Sequence, residues 1–131
     1  MPITVEWYNE EQQAIIHHFE GAWDWNDLRD SLKAMGELSG GRRMPALIDV
    51  SNTKILPDGN VLLHGKNNLT YIPDNITDMV FLINSQLLKT FVSMVFGIVP
   101  TWRSRTQFVK NIEEGRKVID KIIADQAATV R

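Results

Sequence analysis

Hydrophobic and polar residues along the chain follow two different periods, which predict where strands and helices lie. Ile3–Tyr8 alternates apolar and polar side chains, which is typical of a half-buried strand. After a polar turn at Asn9–Gln12, the segment Gln13–Glu20 predicts a second strand that pairs with the first as a hairpin. Two later segments, Ala46–Val50 and Asp78–Ile83, are almost continuously apolar, a pattern typical of central strands covered on both faces.

The segments between these strands carry apolar residues spaced three and four apart, which predicts helices. The first helix begins after a cap at Asp24 or Asn26 and ends near Leu38. Three more follow: Gly59–Ile72, Gln86–Ile98 with Asn84 or Ser85 as its cap, and a last helix capped by Asn111 after a short strand near Thr106–Val109. The order β-β-α-β-α-β-α-β-α predicts a single α/β domain over residues 1–131 with a mixed, mostly parallel sheet.

Composition narrows the possible partners and chemistry. The chain has 131 residues, enough for a self-sufficient core, with 44% hydrophobic and 23% charged residues. A formal net charge of −2 lacks the basic character of a nucleic-acid-binding protein. The absence of cysteine excludes disulfides, thiol nucleophiles and thiolate metal sites. Neither a signal peptide nor an apolar run of membrane-spanning length is visible, so we expect a cytoplasmic protein.

Several short motifs accompany this order of elements: Phe19-Glu20-Gly21 at the end of the second strand, Trp23-Asp24-Trp25 at the first helix, Ile48-Asp49-Val50 and the DMVFLI strand. Together they resemble the STAS family, whose fold is that of the bacterial anti-sigma-factor antagonists. The chain looks closest to the divergent STAS-like branch related to the Sec14 (CRAL-TRIO) lipid carriers. The resemblance implies a STAS-like fold along nearly the whole chain and a regulatory module that acts through protein–protein contact.

In the STAS family, the loop after the third strand ends in a phosphorylatable serine at the start of the next helix. Here that region reads Leu56-Pro57-Asp58-Gly59-Asn60, so Asp58 and Gly59 stand where the family has hydroxyls. We expect Asp58 to cap the helix, or to supply a permanent negative charge there. Ser51 and Thr53 are alternative phosphate acceptors. The loop Ser51–Asn60 is therefore the first candidate partner surface.

The helix Gln86–Ile98 carries more apolar surface than one buried face needs. At 100° per residue its apolar arc covers roughly 200°, about twice the width typical of a one-sided helix. We expect one side to face the sheet, namely Leu88, Val92, Val95 and Val99. The other side should be exposed on the protomer and covered by a second copy or a hydrophobic ligand; it comprises Leu87, Phe91, Met94 and Ile98. Trp102, in a loop predicted over Pro100–Ser104, is expected to be partly exposed beside this surface.

Catalytic and metal chemistry is weakly indicated. His17 and His18 are adjacent on a strand, so they face opposite ways and cannot share a metal. Asp49 and His64 have no evident partners, and no Gly-x-Ser-x-Gly elbow is present. We therefore predict a non-enzymatic protein without a metal or cofactor.

Three functions stay open. The first is a STAS-like interaction module, acting as a homodimer or on another protein. The second is a carrier or sensor of a lipid or another hydrophobic small molecule, implied by the Sec14 relationship and suggested by the apolar helix. The third is an enzyme that uses Asp49 with His64.

Overall fold

The computed structural model describes residues 2–53 and 57–129. The strands are Ile3–Trp7 (β1), Ile15–Glu20 (β2), Met44–Asn52 (β3), Ile76–Leu82 (β4) and Thr106–Val109 (β5). The helices are Trp25–Ser39 (α1), Val61–Asn68 (α2), Gln86–Ile98 (α3), Pro100–Arg103 (α4) and Ile112–Thr129 (α5), and a 3₁₀ turn over Leu69–Tyr71 follows α2.

The five strands form one mixed sheet in the order β1-β2-β3-β4-β5. Strand β1 pairs antiparallel with β2, and the later pairs are parallel, which confirms the predicted α/β architecture. Each parallel strand is added on the same side of its predecessor, and such crossovers are nearly always right-handed. The crossover helices therefore share one face of the sheet, where α2 packs between α1 and α3. Helix α5 covers β3, β4 and β5 from the other face.

Two hydrophobic cores result, one on each face of the sheet. Side chains of β3 alternate between them: Ile48 and Val50 pack under α1–α3, whereas Leu47 packs under α5. The same alternation on β2 sends His17 into the α1–α3 core and His18 to the opposite face, as predicted. The α1–α3 side holds the larger core and, as described below, the candidate site.

Helix caps explain the main differences from the predicted boundaries. Asn60, and not Asp58, caps α2: the Asn60 side chain accepts a hydrogen bond from the Leu63 N–H at 3.1 Å. The prediction that Asp58 caps this helix is therefore wrong. The helix begins at Val61, and Gly59, whose φ is 104°, precedes the Asn60 cap. Among the predicted alternatives, Asp24 caps α1 and Ser85 caps α3.

The predicted loop Pro100–Ser104 instead contains a short helix, α4, with Pro100 in its first turn, where the missing proline N–H costs no hydrogen bond. No helix within residues 2–53 and 57–129 is long and apolar enough to cross a membrane.

Candidate functional site: a cavity between the sheet and three helices

A partly enclosed apolar cavity of about 80 Å³ lies between the sheet and the layer of α1, α2 and α3. Strands β2, β3 and β4 form its floor, and the three helices form its roof. Its wall is mostly aromatic and aliphatic, and includes Phe19, Leu32, Phe81, Phe91, Val92 and Val95. No Asp, Glu, Lys or Arg is among the described residues that line it. The cavity is therefore suited to an uncharged, hydrophobic occupant.

Three residues that line the cavity each carry one buried side-chain atom without a hydrogen-bond partner, namely His17 Nδ1, Trp23 Nε1 and Asn68 Oδ1, although the surface of the cavity itself is entirely apolar. Within the described part of the chain, these are all the buried side-chain nitrogens and oxygens that lack a partner. His17 is 1% exposed and Asn68 is 7% exposed. Leaving a polar group buried and unpaired costs about 1–3 kcal/mol. The unpaired polar atoms of this fold are thus concentrated around one cavity.

His17 is the most deeply buried of these three residues. Its Nε2 lies 3.2 Å from Met35 Sδ, and a thioether sulfur only accepts hydrogen bonds. That contact assigns the ring proton to Nε2 and leaves Nδ1 as an acceptor. Burial, and secondarily the neighbouring His18, lower the pKa of His17 to about 3, so the ring is neutral at physiological pH.

Asn68 and Trp23 contribute one acceptor and one donor. Asn68 Nδ2 donates to the His64 carbonyl at 2.9 Å, which orients the amide and leaves Oδ1 as an unpaired acceptor. The Trp23 indole packs edge-on against Phe19 and Trp25, each with ring centroids 5.3 Å apart, and its Nε1–H has no acceptor. The residues around the cavity therefore include two unpaired acceptors and one unpaired N–H donor, none of which contributes to the cavity surface.

Aromatic contacts join the three helices at this site. The Trp25 ring stacks on His64 of α2, with 5.3 Å between centroids and 16° between planes, and lies 6.1 Å from Phe91 of α3. Its Nε1–H donates to the Asp58 carbonyl at 3.0 Å. Because Trp25 and Phe91 also line the cavity, the segment before α2 is attached to the cavity wall.

The predicted loop Ser51–Asn60 is divided between the two faces of the sheet. Thr53 lines the cavity, is 2% exposed, and donates to the Gly21 carbonyl at 2.7 Å. Ser51 lies in a cleft on the other face, while Asp58 and Gly59 are exposed. Residues 54–56 of this loop lie outside the described residues. The structure therefore does not bring Ser51 and Thr53 together as one surface.

The cleft around Ser51 is polar, has a volume of about 490 Å³, and lies on the α5 face. Ser51 Oγ donates to Asp49 Oδ1 at 2.5 Å, and Asp49 Oδ2 lies 3.6 Å from His18 Nδ1. Glu6 contacts the other His18 nitrogen at 3.2 Å. Asp49 thus has partners that the sequence did not reveal. Because the Ser51 hydroxyl is bonded to a carboxylate and not to the imidazole, this is not the nucleophile–base arrangement of a serine hydrolase.

The structure separates Asp49 from His64, so it does not bring together the two residues that the third function would use. Asp49 faces the α5 side, whereas His64 lies on α2 against Trp25. Within residues 2–53 and 57–129, no group of three or more His, Asp or Glu side chains is arranged so that it could hold a metal ion.

Helix α3 exposes most, but not all, of the side chains expected on its outer face. Leu87, Met94 and Ile98 are 60%, 49% and 53% exposed. Phe91 is half-buried, because its ring packs against the Trp25 ring. The expectation that Phe91 is exposed is therefore wrong. The inner side is buried as expected at Leu88, Val92 and Val95, and Val99 is half-buried.

Trp102 does not belong to this surface. It is 6% exposed, packs edge-on against Phe96 with centroids 6.1 Å apart, and is covered by Arg105 at 5.4 Å. The expected partial exposure of Trp102 is therefore wrong, because α4 turns the indole into the core.

No family model, curated protein or solved structure matches the chain.

Phe91 and Thr53 line the cavity and were candidate site residues from the sequence, whereas His17, Trp23 and Asn68 were not. Their signal in the sequence is a polar side chain at a core position: His17 in the apolar strand and Asn68 on the same side of α2 as the buried Gly65. A histidine or asparagine at such a position usually has a hydrogen-bond partner, and only the structure shows that these do not.

Proposed function

We propose that the protein is a carrier or sensor that binds a small hydrophobic molecule in the cavity under α1, α2 and α3. The observation that carries the proposal is the partly enclosed space itself, whose surface is entirely apolar and whose lining residues include His17, Trp23 and Asn68 with their unpaired buried atoms. Native proteins pair nearly all buried polar groups. These unpaired groups mark the cavity as a place where packing is incomplete, and a compact apolar ligand would fill it.

The size of the cavity limits the ligand. A cavity of about 150 Å³ accepts benzene, and this one measures about 80 Å³. A compact ligand therefore binds with a small outward movement of the roof. Phe91 is suited to that movement, because it lines the cavity but remains half-exposed on its other side. A long lipid chain requires a larger separation of α2 from α3.

We further propose that the domain is STAS-like and related to the Sec14 carriers. The support is the antiparallel opening strand, the sequential order of the parallel strands, and the three crossover helices on one face, together with the motifs of the sequence. In this arrangement the space between the crossover helices and the sheet is where a carrier would hold its ligand.

Native mass spectrometry of the purified protein, followed by solvent extraction, tests the binding function. We expect a mass above that of the bare chain and an extractable neutral compound. The control is Val92→Phe, which places a larger side chain into the cavity from α3. We expect the Val92→Phe protein to remain folded by circular dichroism and to lose the extra mass. A bare wild-type protein that also binds no added hydrophobic compound would contradict the proposal.

A second candidate function is a protein-interaction module that forms a homodimer through α3. The observation that favours it is the row of exposed Leu87, Met94 and Ile98 on one side of this helix. Covering the remaining half of these side chains would contribute about 2–5 kcal/mol from each protomer, before the cost of association. Such an apolar contact, supplemented by contacts between neighbouring polar residues, can hold a dimer.

Light scattering distinguishes this candidate. If α3 forms the dimer interface, the wild type should be a dimer and the double variant Leu87→Lys/Met94→Lys a folded monomer. The matched control is Leu63→Lys/Ile112→Lys, which adds the same charge at exposed apolar positions on α2 and α5. A monomeric wild type, or a double variant that stays dimeric, would refute an α3-mediated homodimer.

A further inference from the structure

The cavity under α1, α2 and α3 offers no polar partner to a ligand. Its surface is entirely apolar, and no Asp, Glu, Lys or Arg is among the described residues that line it. A ligand group that needs a hydrogen bond or a counter-ion therefore stays unpaired on this surface. Burying a hydroxyl without a partner is unfavourable, and burying an ionised group is far more so. The cavity surface thus disfavours any ligand with a polar substituent.

The lining of the cavity is rich in aromatic rings. Among the described residues around it are six phenylalanine and tryptophan side chains: Phe19, Trp23, Trp25, Phe81, Phe91 and Phe96. Trp23 packs edge-on against both Phe19 and Trp25, with ring centroids 5.3 Å apart in each pair. Phe81 and Phe96 form a further edge-on pair at 5.2 Å. Because aromatic rings gain energy from such contacts beyond the area that they bury, a ring that enters the cavity extends an existing aromatic cluster.

The size of the cavity favours a flat molecule. Its volume is about 80 Å³, so a ring can enter only if part of the wall moves outward. The strands of the floor are joined to one another by parallel pairing, which leaves the movement to the roof, where Phe91 is half-buried. A flat ring is thinner than a puckered ring with the same number of carbon atoms. It therefore requires the smaller movement of the roof.

Resting on the proposed function, we infer that the cavity selects a compact aromatic molecule without hydroxyl, amino or acid groups, the class of benzene and its small alkyl derivatives. Polar substituents are excluded because the cavity surface provides no partner for them. Saturated rings of the same carbon number bind more weakly, because they are thicker and make no ring–ring contacts. A fatty acid is disfavoured both by its charge and by its length.

Calorimetric titration at pH 7 with two matched pairs of compounds tests this selectivity. Toluene and phenol differ in a methyl group against a hydroxyl, and we expect toluene to bind about tenfold or more tightly, because the phenol hydroxyl is buried unpaired. Benzene and cyclohexane have the same number of carbon atoms. Benzene should bind at least about twofold more tightly, because of its ring contacts, although cyclohexane is the more hydrophobic of the two.

A variant of the roof locates the preference for a flat ring. Phe91→Leu replaces a half-buried ring of the lining with an aliphatic side chain. The preference for benzene over cyclohexane should shrink in this variant, whereas the preference for toluene over phenol should stay, because the surface remains apolar. The matched control is Phe108→Leu, which replaces a half-buried ring that does not line the cavity and should leave both preferences unchanged. The wild-type comparisons decide the inference by themselves if Phe91→Leu is poorly folded.

The outcomes separate this inference from the proposed function. Phenol that binds as tightly as toluene, or cyclohexane that binds as tightly as benzene, would overturn the selectivity while leaving a ligand-binding cavity in place. An extracted native ligand that is ionised or aliphatic would do the same. If none of the four compounds binds and the purified protein carries no ligand, both the inference and the proposed function fail.

Discussion

Replacing His17 with leucine is expected to stabilise the folded protein. The substitution removes a buried Nδ1 that has no partner and keeps an apolar side chain against Met35. The cost of an unpaired buried group is about 1–3 kcal/mol, and the lost contact with the Met35 sulfur offsets part of it. A net gain of about 1 kcal/mol at pH 7 is the expected result.

The effect should grow as the pH falls. Folding lowers the pKa of His17 from 6.5 to about 3, so between these values the unfolded chain binds a proton that the folded protein excludes. The free energy of unfolding of the wild type therefore decreases as the pH falls below 6.5. One proton changes it by about 1.4 kcal/mol per pH unit, which gives a loss of roughly 2 kcal/mol between pH 7 and pH 5. The leucine variant lacks this group.

Urea unfolding of the wild type and His17→Leu at pH 7 and pH 5 measures the effect. Subtracting the free energy of unfolding of the wild type from that of the variant cancels the contribution of the carboxylates, which both proteins share. The stability advantage of the variant should widen by about 2 kcal/mol at the lower pH. If both proteins lose the same stability between the two pH values, the account of His17 as a buried neutral ring is refuted.

Two further predictions concern helix α2, and chemical unfolding measures both. Asn60→Ala should lower the free energy of unfolding by about 0.5–2 kcal/mol, because the Asn60 side chain caps the helix. Asp58→Ala should leave the free energy of unfolding within about 0.5 kcal/mol of the wild type. A larger loss in Asp58→Ala than in Asn60→Ala would show that Asp58 is the cap. Gly65→Ala should cost about 1–3 kcal/mol, since a Cβ there would lie 2.9 Å from Val95 and 3.0 Å from the Phe91 ring. An unchanged stability in Gly65→Ala would show that α2 and α3 are not in close contact.

Elements with strong local signals could be predicted from the sequence. The bounds of α3 and β5 match the prediction, because Ser85 caps α3 and Val99-Pro100 ends it. Helix α2 was harder, since Asp58 and Asn60 are both good capping residues. The conformation of Gly59, at φ 104°, separates them and places the helix start after Asn60. Local sequence alone does not decide between two such caps.

The cavity could not be predicted, because empty space arises from how side chains of six elements pack and not from any one residue. Among the residues that line it, only His17 and Asn68 gave a weak signal in the sequence, as polar side chains at core positions. The burial of Trp102 could not be predicted either, because it also depends on packing between elements. Neighbouring arginines and a proline suggested an exposed loop, but contacts with Phe96 and Arg105 bury the ring. The distribution of exposed side chains on α3 was predictable because it depends mainly on helical periodicity.

The most direct test of a ligand-binding cavity is an NMR titration that follows the indole N–H signals of the protein, which has four tryptophans. With added benzene, the Trp23 signal should shift strongly and saturate, because this ring lines the cavity that the ligand enters. The Trp7 signal should stay in place, since that ring lies outside the cavity and stacks under Arg42. A Trp23 signal that does not move, or indole signals that all drift together without saturation, would contradict binding in this cavity.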